Sequence, residues 1–219
     1  MSLRSTVWRA LASRYPSLYW LRRGRTYYQQ REESACERLM HEAVLDRIAA
    51  LKPSRLLEYG AGNGSFLRKI QARMPDVECF GVDFSASQLA VARAAMPGAN
   101  LSVGNLTHLK FETGAFDVVV GLGVLIYVRP QDRRRVFGEL RRVCRGHLVA
   151  VEYITKFFDA GMKARFDGAR DFRYDYDIEQ HVRDAGFDVL DAGKIAAAWD
   201  PATNPLGELP HGMIVARAR

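Results

Sequence analysis

The stretch that most constrains this chain is Leu56-Leu57-Glu58-Tyr59-Gly60-Ala61-Gly62-Asn63-Gly64-Ser65-Phe66. An apolar run ends in a carboxylate, and three glycines at alternate positions lead into a segment with helical character from Phe66 to Met74. Strand, tight turn and helix N-terminus follow in that order. Glycine is needed where the backbone takes positive φ or lies against a ligand, so three within five residues imply a loop closed on something flat or anionic.

Two patterns compete for this loop. A G-x-G-x-x-G fingerprint would put its third glycine at position 65, which is Ser65; the third glycine is instead Gly64, giving G-x-G-x-G. A second carboxylate, Asp83 in Gly81-Val82-Asp83-Phe84-Ser85, ends the next strand-like run. It lies about 20 residues past the loop, the distance expected of an acid that binds ribose. A glycine turn that serves only close helix packing would explain the loop but not Asp83. The ligand expected on both patterns is of the adenosine type.

With 219 residues, 48% of them hydrophobic, the chain can bury one substantial core and is short for two full α/β domains. It has no run of about 18 uncharged apolar residues, so no membrane span is expected. Arg4, Arg9 and Arg14 interrupt the first apolar stretch too often for a signal-peptide core, and a cytoplasmic location is expected. Cys36, Cys79 and Cys144 are isolated, which fits buried thiols and neither a disulfide framework nor a metal site. The net charge of +7 rests on arginine, since Lys52, Lys69, Lys110, Lys156, Lys163 and Lys194 are the only lysines. Arginines spread over several helices read as solvated faces, whereas a nucleic-acid footprint would be clustered.

From residue 53 onward, strands and helices alternate as they do in a parallel sheet with both faces covered. Strands are expected at Arg55–Tyr59, Val77–Val82, Asn100–Val103, Phe116–Gly121 and His147–Glu152, with helices at Phe66–Met74, Ala86–Met96 and Pro130–Cys144. A helix at Ile178–Ala185 precedes two strands, Phe187–Ala192 and Gly212–Ala218, which lack a helix between them and should pair antiparallel at one sheet edge. The fold class is thus α/β, a doubly wound, seven-stranded, mostly parallel sheet with an antiparallel closing strand. Residues 1–52 form a separate N-terminal extension. Two short amphipathic helices are expected around Pro16, and a longer one from Thr26 to Leu51. The apolar stripes of the first two could cover a ligand cleft, as a lid, or lie on a membrane surface.

The acid followed by G-x-G-x-G, with Asp83 downstream and the closing strand reversal, resembles the class I S-adenosylmethionine (SAM) dependent methyltransferases, over residues 55–218. That resemblance implies a Rossmann-like methyltransferase fold with SAM as cofactor over residues 53–219. Glu58 would end the first strand, with Gly60, Ala61, Gly62 and Gly64 beneath the amino-acid half of SAM. Asp83 would accept from both ribose hydroxyls, with Phe84 beside it. Asn105, followed by Leu106, stands where the family usually has an aspartate facing the adenine amino group. Gly121 and Leu122 open the segment that lies beneath the methionine portion. Residues 19–28 resemble, loosely, the lid of deoxyaminosugar N,N-dimethyltransferases, which would turn Tyr19 and Tyr27 toward the cofactor. A histidine that those sugar enzymes carry after the fourth strand is missing here.

The expected acceptor is a small or mid-sized metabolite methylated at N or O, with sugar-like and natural-product-like compounds as candidates. The connection from Glu152 to Asp177 is too long for an idle loop. Its Tyr153, Phe157, Phe158, Phe166, Phe172, Tyr174 and Tyr176 would line an apolar acceptor pocket or pack into a local cap. A hydroxyl acceptor calls for a general base, and Glu152, Tyr127 and His211 are the candidates at strand ends. His41, His108, His147 and His181 read as helix, turn or strand-start residues without partners. The alternative function is an RNA-directed methyltransferase or basic RNA-binding module. Against it, the chain lacks the Asn/Asp-Pro-Pro-Tyr motif, a cysteine placed to attack a pyrimidine, and the lysine-rich tetrad of ribose methylation.

Overall fold

A computed structural model describes Trp20 and residues 33–168, 173–202, 204 and 209–219. The two helices expected before residue 23, and Tyr19, Tyr27 and Phe172, lie outside the described residues. Helix α1 spans Ala35–Ala50. It begins later than the spacing suggests because Ser34 and Glu37 form a reciprocal capping box that fixes the N-terminus at that point.

The strands are β1 (Arg55–Tyr59), β2 (Glu78–Asp83), β3 (Asn100–Val103), β4 (Phe116–Leu122), β5 (Cys144–Glu152), β6 (Phe187–Lys194) and β7 (Gly212–Ala218). They form one sheet in the order β3-β2-β1-β4-β5-β7-β6. All neighbouring pairs are parallel except those of β7, which runs antiparallel to both β5 and β6. The reversed strand therefore sits second from the edge, with β6 outside it.

Alternation along the central strands divides the core. Leu56, Val118, Val120, Val149 and Val151 pack with α1, α2 (Ser65–Arg73) and the end of α3 (Ala86–Ala95). Leu57, Tyr59, Val119, Leu148 and Ala150 pack with α4 (Arg133–Val143) and Val182 of α6 (Ile178–Asp184). Because residues of strict two-residue period face helices on both sides, the strands read as continuous apolar runs. Truncating a fully buried leucine such as Leu67 or Leu140 to alanine would cost about 2–5 kcal/mol.

Three expectations are corrected. Pro130–Asp132 is a separate 3-10 turn, so α4 starts at Arg133, and β5 begins at Cys144 directly after the helix. The Glu152–Asp177 connection contains a helix, α5 (Ala160–Asp167), started by the Asp159 side chain accepting from Met162 N–H. A short helix, α7 (Ala196–Trp199), follows β6. Among the described residues no helix is long and apolar enough to cross a membrane. The strand order reverses between β1 and β4, which opens a crevice at their C-terminal ends, the general ligand position in sheets of this kind.

Candidate active site

The glycine loop fills that crevice. Gly60, Gly62 and Gly64 all have positive φ, 69°, 52° and 75°. Gly60 also has no room for a side chain, because a Cβ there would lie 2.4 Å from a methyl of Val124. The N–H groups of Gly60 and Ala61 donate to Val82 O at 2.8 and 3.1 Å, which clips the loop to β2. Gly64 opens α2 without a side-chain cap. Glu58 supplies one, since its buried carboxyl accepts from Leu67 N–H.

Asp83 ends β2 inside the same crevice. One carboxylate oxygen accepts Gly62 N–H at 3.0 Å and the other accepts Ser85 N–H at 2.7 Å. Burial raises its pKa, while those two donors oppose the shift. Burial, and secondarily the charge of Asp83, pushes Glu58 up to about 8. Burial therefore favours the protonated form of Glu58, which receives one N–H donor, whereas Asp83 stands at the cavity wall and receives two that favour its charged form. The bonds to Gly62 and Ser85 make Asp83 a fastener of the loop as well.

A cavity of about 280 Å³ lies above these residues, lined by Gly60, Gly62, Asp83, Phe84, Asn105 and Leu106 on one side and by Leu122, Gly123, Val124 and Tyr127 on the other. Glu58 and Ala61 are buried beneath the lining, and Gly121 lies under the ring of Tyr59, where a Cβ would come within 2.1 Å. Trp20 also lines the cavity, its ring edge-on to Tyr127 with centroids 5.3 Å apart. Sequence reasoning chose Tyr19 and Tyr27 and passed over this tryptophan. Its place next to Tyr19 in an aromatic-basic segment was the available signal.

Residues 56–147 match the family described as "Methyltransferase domain". Over those residues the chain carries a methyltransferase domain of the SAM-dependent class. It is 31% identical over 114 residues to a demethylmenaquinone methyltransferase of Thermotoga maritima, covering 51% of this chain and 48% of the relative. Against a malonyl-[acyl-carrier protein] O-methyltransferase of Geobacter sulfurreducens it is 28% identical over 113 residues, 48% of this chain and 42% of the relative. The chain thus spans about half the length of these curated relatives. The geranyl diphosphate C-methyltransferase of Streptomyces coelicolor shares the fold, with a TM-score of 0.63 at 14% identity over 81% of this chain and 80% of that one.

The family's cofactor suits the groups present. A carboxylate offers about four acceptor positions, of which Gly62 and Ser85 occupy two on Asp83, leaving acceptors for a cis-diol. Asn105 is more committed. Its amide oxygen accepts the N–H and hydroxyl of Thr107 at 3.0 and 3.1 Å, so an adenine amino group would share it.

The three candidate bases separate in space. Glu152 is fully buried, and one oxygen accepts Val124 N–H at 3.0 Å and Leu125 N–H at 2.8 Å. It is not among the residues that line the cavity above the glycine loop. Tyr127 lines the cavity. His211 is not among the lining residues; its Nε2 is about 4.0 Å from where a Gly123 side chain would begin, and its ring is stacked on Tyr153, centroids 4.1 Å apart. Ile195 N–H and Trp199 Nε1–H both donate to His211 O.

Described aromatic residues of the Glu152–Asp177 connection pack on one another, the local cap that was one of the two arrangements expected of them. Tyr153 meets Phe158 and Phe166, and Phe158 meets Trp199. Arg173 lies 4.9 Å over Tyr153 and Lys194 lies 4.0 Å over Trp199. None of residues 152–177 lines the cavity above the glycine loop. Two of the histidines expected to lack partners have them: His41 Nδ1 lies 2.5 Å from a Glu33 carboxylate oxygen, and His181 Nδ1 lies 2.8 Å from Asp177 O.

Proposed function

We propose that this chain binds SAM through the glycine loop and Asp83 and transfers its methyl group to a nitrogen or oxygen of a small or mid-sized acceptor in the cytoplasm. The observation that carries the reading is Asp83, a buried carboxylate at the cavity wall, oriented by two backbone N–H groups and still able to accept from a diol. On this reading Gly60, Ala61 and Gly62 form the floor, Phe84, Asn105 and Leu106 the adenine end, and Gly121 and Leu122 the base of the methionine end. Of residues 1–52, the part before α1 acts as a lid, with Tyr19 and Tyr27 toward the cofactor, while α1 packs on the sheet of the 53–219 catalytic domain. Support for the lid comes from Trp20, which reaches the cavity wall at Tyr127.

SAM, when bound, supplies an electrophilic methyl group, and transfer is an in-line displacement in which alignment and exclusion of water do most of the work. An amine acceptor arrives neutral and needs no base. A hydroxyl acceptor would give its proton to His211, which stands beside Gly123, or to Tyr127 within the cavity. The relatives named above act on chemically different acceptors, and none is carried over to this chain. Calorimetry with SAM, S-adenosylhomocysteine and NAD tests the cofactor reading. Binding of the first two and not of NAD supports it, and NAD binding alone overturns it.

A further inference from the structure

Glu152 is a fully buried carboxyl, and its environment is unusual for an acid. One oxygen takes the N–H groups of Val124 and Leu125, and Ile126 N–H also points to the carboxyl. The second oxygen, Oε2, is buried and makes no hydrogen bond; the same is true of the Tyr59 hydroxyl. Tyr59 sits on β1 and Glu152 on β5, both at C-terminal strand ends, and Glu152 is among the charges that raise the tyrosine pKa. Among the described residues, the titratable groups that face Glu152 are Tyr59 and Tyr176, and Arg133 lies 3.7 Å over the Tyr176 ring. No cation stands among the groups that shift Glu152 itself.

The turn held by Glu152 is a wall of the cavity. Val124 fills the space above Gly60, and Tyr127 meets Trp20. Its other fastenings are Tyr176 hydroxyl to Leu125 O, 2.6 Å, and Tyr174 N–H to Ile126 O, 2.7 Å. We propose that Glu152 is a positioning residue that works as a neutral carboxylic acid, holding the Val124–Tyr127 turn against the cofactor site, and that loss of its proton releases the turn. As an acid, its carbonyl oxygen accepts the backbone N–H groups while Oε2–H becomes a donor, which one buried water would link to the Tyr59 hydroxyl. As a carboxylate, it would be a buried charge without a counter-charge. Burial pushes its pKa up to about 8, against the opposing pull of those backbone donors.

The proposal rests on the SAM reading, and its test separates the two. Affinity for S-adenosylhomocysteine and the unfolding midpoint of the ligand-free full chain are measured from pH 6 to 9.5 for wild type, Glu152→Gln and Glu152→Ala. With titration near 8, wild-type affinity should fall about tenfold between pH 7 and 9. Glutamine reproduces the neutral acid in shape, acceptor and donor, so Glu152→Gln should match wild type within about twofold at pH 7 and stay flat. Glu152→Ala should bind weakly throughout. An equal alkaline fall in wild type and Glu152→Gln overturns the proposal and assigns the titration to Glu58; so does a Gln variant as weak at pH 7 as the Ala variant. If the wild type binds no S-adenosylhomocysteine at any pH, the cofactor reading fails, and the ligand-free midpoints then decide. A steeper alkaline fall in wild type than in Glu152→Gln supports the role of Glu152, and parallel curves overturn it.

Discussion

The cavity's two ends are built from different materials. At the β1–β2 end, Gly60, Gly62, Asp83 and Ser85 come from one stretch of about 25 residues and are joined by backbone donors to a single carboxylate. On the β4–β5 side, Tyr127 lines the cavity while Tyr153 and His211 stack on each other outside its lining, three distant segments brought near because β7 inserts antiparallel between β5 and β6 and places Gly212 opposite Glu152. The first end recognises a ligand through geometry that any cofactor of its class presents. On the proposed reading, the second is where the acceptor would be met. Local sequence writes the first half of the site, and topology assembles the second.

Asp83→Ala should break that contrast most sharply. Losing a charge-assisted partner for two ribose hydroxyls should weaken S-adenosylhomocysteine binding by about 2–4 kcal/mol, roughly thirty- to a thousand-fold by calorimetry. Freeing Gly62 and Ser85 N–H should also destabilise the fold by about 1–3 kcal/mol, read by denaturant unfolding. Glu78→Ala, at the opposite end of β2 where the carboxylate pairs with Arg55 at 2.8 Å, should leave affinity unchanged. Equal losses in both variants would sink the assignment of Asp83.

Acid–base linkage gives the next effect. Glu58 is raised from 4.5 to about 8, so its contribution to stability is complete below pH 4.5 and is lost as pH rises through 8. The unfolding midpoint should therefore decline over that range, and Glu58→Gln should flatten part of the decline. A midpoint that rises from pH 5 to 8.5 would contradict a protonated Glu58. A smaller effect is expected where the two ends meet. Tyr127→Leu removes the edge-on contact with Trp20 and should weaken S-adenosylhomocysteine by about two- to tenfold, the scale of one aromatic pair. Smallest of all, His211→Ala should change that affinity by less than about twofold while slowing transfer to a hydroxyl acceptor by about a hundredfold or more. A large loss of cofactor affinity in His211→Ala would erase the division between the two ends.

Most strands were legible to within a residue or two, and β1, β3 and β7 match the expected bounds. Apolar runs bounded by turn residues carry that signal without help from the rest of the fold. Asp83 and the glycines were legible for the same local reason: positive φ and spacing are properties of consecutive residues. Glu152 was not. A carboxylate after a strand looks identical in sequence whether it faces a cavity or three backbone N–H groups, and only the packing of the Val124–Tyr127 turn against β5 turned it inward. The helix at Ala160–Asp167 was hidden because its cap, Asp159, follows an aromatic run whose density pointed to a pocket. By itself, then, the sequence determined the α/β alternation, the glycine loop and its acid. Tertiary structure decided which carboxyls keep their protons, which aromatic rings pack on each other, and which tryptophan reaches the cavity, because burial and contact between distant segments exist only once the sheet has closed.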